Sequence, residues 1–423
     1  MTAPAPVRLA WLDALRGYAA LVVVLFHLSP QVLGPDRHLA VMRWIDLGKY
    51  GVMLFFLISG YVIPMSLERH GSLRRFWIGR LCRIYPAYLA TIALVAVLVA
   101  LGLLRWPASL RAETVTGVLA HATMMPDLLG LRGVVRVFWT LSYEMTFYLL
   151  VAGLFAWRLH RHSAWWAGGL ALTALLAGPV LPDDLLGGTF ADRRITAGAL
   201  VLIVALSITA YLRRRLVHAA GAVGIALVLV PAVNGHPTAG STVAASWQGL
   251  LFLAVMFAGT VVYRWQHGQI GRPAAITALA TVALCAVVAH AVHLGRPAWA
   301  INVAAVAATF LIAYALRKRE VPAVLIGLGQ ISYSLYLLHA VVLFLVPRVV
   351  PQLATQPAVV RLAVGAAYLA VAIGLARLSY RMVELPGQAL GRRLVARPAL
   401  PARLATQRAA SRTGRGENVG RSV

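Results

Sequence analysis

The sequence runs to 423 residues, 60% of them hydrophobic and only 12% charged, with a mean hydropathy of +0.78. An ordinary soluble domain carries roughly 25% charged residues, so a water-soluble fold is excluded and the surplus apolar residues must face lipid. The 39 Lys and Arg against 13 Asp and Glu leave a net charge of +26, yet outside the C-terminal segment the arginines sit in short clusters between apolar runs. That is the pattern of positive-inside loops rather than of a face that reads nucleic acid, which is set aside as a partner. With only two cysteines, Cys82 and Cys285, neither a disulfide framework nor a cysteine-based metal site can be built.

Taking a run of roughly 17 to 25 apolar residues as one membrane span, twelve candidates follow in chain order: 8–29, 50–67, 84–104, 138–157, 164–181, 195–212, 216–233, 246–264, 274–294, 299–316, 323–346 and 358–380. Several in the middle are short and interrupted by Gly or Pro, which sets ten as the lower count. The first stretch contains Asp13 and Arg16 and lacks a small-residue cleavage pattern, so it reads as a retained span rather than a signal peptide. The expected fold is all-α, a polytopic integral membrane bundle of 10–12 helices over residues 1–384, followed by a basic, disordered cytoplasmic tail over 385–423. Placing the N-terminus in the cytoplasm puts 26 basic residues inside and 12 outside, or 16 against 12 without the ten arginines from Arg377 to Arg421.

Ionisable groups inside a span are costly and therefore mark function. In the first span, LDALRGYAALVVVLFHL, Arg16 and His27 are eleven residues apart, just over three helical turns, so both lie on one face about 16 Å apart along the axis. Asp13, one turn before Arg16, is spaced to hold its guanidinium. The fourth span, which begins FWTLSYEMTFYLL, carries Tyr143 and Glu144, and the eleventh carries His339 at the end of SYSLYLLH. If each span begins at the membrane surface, His27, Glu144 and His339 reach one depth in the outer half. The competing reading makes Glu144 and His339 polar groups that glue helices together. His290 and His293 end a span and read as structural. No spacing of His, Cys or acidic residues suits zinc, so no metal is expected. Between the second and third spans, ERHGSLRRFWIGRLCRIYPAY reads as a loop in which Arg80 and Arg83 share a face and form a fork for phosphate oxygens. As a bland alternative, the cluster only fixes topology.

Five segments carry a resemblance. LDALRG with Arg16 and His27, FFLISGYVI at 55–63, RLCRIYP with Arg80 and Arg83, FWTLSYEMTFY with Glu144, and ISYSLYLLH followed by VELP at 383–386 occur in the order found in the membrane-bound acyltransferase-3 family. The chain resembles that family, which includes O-acetyltransferases of bacterial surface polysaccharides and macrolide acyltransferases. The resemblance implies a multi-pass protein of the bacterial cytoplasmic membrane that transfers an acyl group, usually acetyl, from cytoplasmic acyl-CoA to a hydroxyl of a glycan, glycolipid or macrolide-like acceptor. It implies no bound cofactor, acyl-CoA being a substrate. The twelve candidate spans exceed the ten usual in the family. The sequence also shows no extracytoplasmic hydrolase-like domain, so transfer is expected to be direct or to need a separate partner.

On that reading His27 is the general base that takes the hydroxyl proton. Glu144 either orients the imidazole or is itself the base. Arg16, Arg80 and Arg83 hold the donor, and Asp13, Tyr143 and His339 support them. A proton-coupled transporter or exporter of lipid-linked glycans is the competing class, since intramembrane His and Glu also build proton relays. Such a transporter has no need of the arginine fork.

Overall fold

The computed structural model describes residues 9–235 and 245–396. Arg8 and the basic segment from 397 onward, which enter the charge count above, lie outside the described residues.

The described chain is helical throughout. Its elements are α1 (Ala10–Val32), α2 (Pro35–Trp44), α3 (Leu47–His70), α4 (Leu73–Ala100), α5 (Ala108–Ala112), α6 (Thr114–Ala122), α7 (Trp139–Ala156) and α8 (Ser163–Leu176). There follow α9 (Phe190–Arg213), α10 (Val217–Ala226), α11 (Leu229–Val233), α12 (Ser246–Gln266), α13 (Arg272–Leu294), α14 (Trp299–Ala315), α15 (Ala323–Val349), α16 (Ala358–Ser379) and α17 (Leu385–Ala396). Among the described residues nine helices are long and apolar enough to cross a membrane, with Val217–Val233 and Trp299–Ala315 as shorter apolar helices. The chain is a polytopic membrane bundle.

Helix direction follows from which residues meet. α3, α7, α12 and α14 run the same way. Phe56 packs on Phe252 while Glu68 bonds Arg264, Ser59 reaches Glu144, and Asp46 pairs with Asn302 while Tyr50 meets Thr309. α1 and α15 run together in the opposite direction. The turns after α3, α7 and α12 gather at one end, where Glu68, His160 and Arg264 line one small cavity. That sorting agrees with the charge-based sidedness, and the two ends are called inner and outer accordingly.

Glycine makes the decisive crossing between α1 and α15. A Cβ on Gly329 would lie 2.0 Å from the Asp13 carbonyl oxygen, and one on Gly17 would lie 2.7 Å from the Gly329 nitrogen. Only hydrogen fits there, so the backbones touch. A second such crossing joins α3 to α12, where a Cβ on Gly259 would fall 2.0 Å from the Leu57 carbonyl and the Thr260 hydroxyl donates to the Gly60 carbonyl at 2.8 Å.

Several expectations need correction. The arginine cluster is not a loop: the chain turns at Gly71, whose φ is +58°, Ser72 caps α4, and Arg74 to Arg83 occupy its first three turns. The candidate span 216–233 is broken into α10 and α11, and α8 has only 14 residues. Residues 34–49 and 105–136, which lie between candidate spans, contain α2, α5 and α6. The second of them folds into the protein, with Leu128, Leu129 and Val135 at 0% exposure. Finally, the helical body does not stop at residue 384. A π-helical stretch, Tyr380–Glu384, joins α16 to α17. α17 lies along α4 because Gly387 and Gly391, one turn apart, leave room for Cys82 and Pro86.

Candidate active site

The α1–α15 crossing builds the first half of the site. From Gly17 to His27 and from Gly329 to His339 the chain advances ten residues in each helix. Two parallel helices that touch at one level stay in step at 1.5 Å per residue, about 15 Å further on. His27 and His339 accordingly meet, Nδ1 of the first to Nε2 of the second at 3.3 Å. His27 Nδ1 lies 2.9 Å from the Val23 carbonyl and His339 Nδ1 lies 3.1 Å from the Leu335 carbonyl. Carbonyls only accept, so both rings carry hydrogen on Nδ1 and the Nε2 of His339 receives a share of the His27 hydrogen. The Nε2 of His27 is left as a bare lone pair.

His27 lines an outer cavity of about 610 Å³, within the range of small-molecule sites. Its wall includes His38, Asp46, Lys49, Arg132, Arg136, Trp139, Arg296 and Tyr336. His38, on α2, shares a hydrogen with the Ser29 hydroxyl at 2.6 Å. Burial pushes its pKa below the ordinary histidine value, which favours the neutral ring. Asp46 caps α3 by accepting from the Lys49 amide at 2.9 Å.

The second half is a narrower cavity of about 60 Å³, lined by Arg16, Ser59, Arg80, Arg83, Glu144, Tyr148, Ser332, Tyr333 and Tyr336, among others. Glu144 accepts from the Tyr148 hydroxyl at 2.5 Å and from Ser59 at 3.2 Å. Arg80, 7% exposed, lies beside the rings of Phe76 and Tyr148, at 5.6 and 5.4 Å from its guanidinium carbon. Arg16 Nε is buried without a hydrogen-bond partner among the described residues, an unsatisfied donor beside the cavity. Three guanidiniums beside one carboxylate make a site for an anionic ligand.

Tyr336 and Val52 line both cavities. The Tyr336 hydroxyl lies 2.9 Å from the Thr140 hydroxyl and donates to the Val137 carbonyl at 3.0 Å, which holds the ring as a partition between the arginine chamber and His27.

The structure therefore brings Arg16, Arg80, Arg83 and Glu144 together and, separately, His27 and His339. Glu144 does not share the depth of His27, because α7 starts in the protein interior and not at the surface: Phe138 is 0% and Trp139 7% exposed. Tyr143 lines neither cavity; its ring packs on Trp139 and Phe252. Asp13 contributes its backbone to the helix crossing. His290 stacks on Trp299 at 4.1 Å and His293 meets the Leu175 carbonyl, and neither lines the two cavities. Among the described residues no cluster of three or more His, Cys, Asp or Glu could hold a metal.

Among the buried carboxylates that the sequence reading passes over is Glu384. Glu384, 2% exposed, accepts from the Ser334 amide at 3.1 Å and from its hydroxyl. It ties the π-helical turn to the segment of α15 that carries Tyr333, Tyr336 and His339. Such π turns are frequent at functional sites. The signal was present in VELP, but ending the last span at 380 hid it.

Residues 9–190 match the acyltransferase-3 family model, described as an acyltransferase domain. The motif resemblance is borne out over those residues. The chain is 32% identical over 158 residues to acyltransferase MdmB of Streptomyces mycarofaciens, a match covering 34% of this chain and 39% of that protein. It is 28% identical over 153 residues to the peptidoglycan O-acetyltransferase OatA of Listeria monocytogenes, covering 33% and 23%. Against O-acetyltransferase OatA of Staphylococcus aureus the figures are 26% over 169 residues, covering 37% and 26%. The chain thus spans less than two fifths of the length of each of these relatives. No solved structure matches. Arg16, His27, Arg80, Arg83 and Glu144 fall within the matched segment, whereas Tyr336, His339 and Glu384 lie beyond it.

Proposed function

We propose that this protein is a membrane O-acyltransferase that moves an acyl group, most simply acetyl, from cytoplasmic acyl-CoA to a hydroxyl of a glycan, glycolipid or macrolide-like acceptor. The observation that carries the reading is the pairing of a three-arginine chamber with a histidine whose Nε2 is bare, the two separated by one tyrosine. A transporter has no use for such a phosphate-binding chamber.

In this reading Arg80 and Arg83 hold the CoA phosphates at the inner chamber and Arg16, with its unsatisfied Nε, guides the pantetheine arm outward. The acceptor enters the outer cavity. His27 Nε2 takes the proton of its hydroxyl as the oxygen forms a bond to the thioester carbonyl carbon. The imidazolium is stabilised through Nδ1 by the Val23 carbonyl and by His339 Nε2. Collapse of the tetrahedral adduct breaks the C–S bond, and the proton passes from His27 to the departing thiolate, giving ester and free CoA. Glu144, bonded to Ser59 and Tyr148 among the arginines, orders the donor chamber and does not contact the imidazole. At about 60 Å³ the inner cavity is too narrow for the acyl arm, so donor entry displaces the Tyr336 ring.

The test is acyl transfer in proteoliposomes of purified protein supplied with radiolabelled acetyl-CoA and extracts of candidate acceptors. The proposal expects label in an alkali-labile ester and stoichiometric free CoA. Transport of an acceptor without ester formation would favour the exporter.

A further inference from the structure

The outer cavity carries a charge pattern that transfer to a neutral hydroxyl does not require. Four cations reach it from three separate segments: Lys49 from the first turn of α3, Arg132 and Arg136 from the stretch before α7, and Arg296 from the turn before α14. One carboxylate, Asp46, accompanies them, and it is already engaged by the α3 backbone. Among the described residues none of the four cations is bonded to a carboxylate. Lys49 lies over the Trp299 ring at 5.5 Å, and the three arginines are exposed at the mouth. Sequence-distant cations brought to one cavity repel each other unless an anion joins them, and a concave wall focuses their field. Nor does topology explain them. The charge bias that orients a membrane protein depletes the outer side of Lys and Arg, yet these four sit at the outer end beside His27.

We propose that the acceptor is an anionic hydroxyl compound, a glycan or glycolipid bearing carboxylate or phosphate groups, whose negative charges seat on Arg132, Arg136 and Arg296 while a neighbouring hydroxyl is presented to His27. This rests on the acyltransferase reading for the role of the cavity, but anion binding there is measurable without transfer. The anion supplies orientation as well as affinity, since a guanidinium engages carboxylate or phosphate through two parallel bonds.

The experiment is equilibrium binding to the purified full-length protein in neutral detergent. Three probes are used: tri-galacturonate, its fully methyl-esterified neutral counterpart, and a glycerol phosphate trimer. The proposal expects at least one of the two anions to bind tenfold or more tightly than the neutral ester. That advantage should shrink as KCl is raised from about 50 to 500 mM, as screened charge contacts do. Whichever anion binds identifies carboxylate or phosphate as the source. Arg132→Gln/Arg296→Gln should lose most of the advantage, and the distant pair Arg213→Gln/Arg214→Gln should keep it. Equal binding of anions and neutral ester, no binding of either anion, or full binding in the Arg132→Gln/Arg296→Gln protein would overturn the proposal. His27→Ala separates the two claims: it removes transfer and should leave anion binding intact. Anion binding by a wild-type protein that transfers nothing would sink the enzymatic reading alone.

Discussion

Arg80 and Arg83 sit one helical turn apart on α4 and line the same chamber as Arg16. Losing a hydrogen-bonded partner of a charged group costs about 1.5 to 3 kcal/mol. Arg83→Ala is therefore expected to weaken acetyl-CoA binding by about ten- to a hundredfold, read by equilibrium dialysis on protein whose detergent elution profile is unchanged. Unaltered donor affinity would return the cluster to a topology signal. Glu384 yields a stability prediction. Glu384→Ala removes the buried acceptor that the Ser334 amide and hydroxyl share and is expected to cost about 1 to 3 kcal/mol, seen as a lowered thermal unfolding midpoint. Glu384→Gln, which can still accept, should lose less. At this scale Arg16, His27, Glu144 and His339 were legible because a charge or imidazole in an apolar run stands out against its cost in lipid, and Arg80 and Arg83 because their spacing within a basic cluster gives them one face. Ser59, Tyr148, Tyr333 and Tyr336 were not, because a neutral hydroxyl in a membrane helix carries no comparable penalty and gives no sign of which cavity it faces.

Helix contacts decide whether these residues meet. The sequence located α1 and α15 and their histidines but not the glycine contact that sets the two helices in register, since Gly17 and Gly329 become partners only through a crossing three hundred residues apart. Gly329→Ala would place a methyl 2.0 Å from the Asp13 carbonyl, which must part the helices and with them the His27–His339 pair. Transfer is expected to fall by at least tenfold while acetyl-CoA binding changes much less. Gly327→Ala, on the same helix with nothing within 4 Å of the added methyl, is the control and should retain activity. Equal activity in the two variants would show that the histidine pair is dispensable. The depth expected for Glu144 failed at this scale too. Counting residues from a helix start works only when that start lies at the membrane surface, and the infolded segment before α7 breaks the assumption.

For the whole molecule, the alternation of hydrophobic runs and arginine clusters was sufficient to foresee an all-helical bundle and the grouping of its turns into two ends. The short α8 and the broken α10–α11 pair are the elements that a window of apolar residues describes least well, because packing in the bundle substitutes there for a full-length span. The assigned sidedness predicts that Ser72→Cys, at the inner turn before α4, is protected from an impermeant maleimide in intact cells. Asp36→Cys, on α2 at the outer end, should be labelled. The reverse pattern would detach the arginine chamber from cytoplasmic acyl-CoA. The account as a whole turns on His27 as the base that joins donor and acceptor chambers. Its most direct test is the initial rate of acetyl transfer by His27→Gln in proteoliposomes, on protein that matches wild type in unfolding midpoint and acetyl-CoA affinity. Gln keeps hydrogen bonding but cannot take a proton near neutral pH. The predicted result is a loss on the order of 10² to 10⁴-fold, close to that of His27→Ala. Transfer at the wild-type rate would contradict the account and leave Glu144 as the remaining candidate for the base.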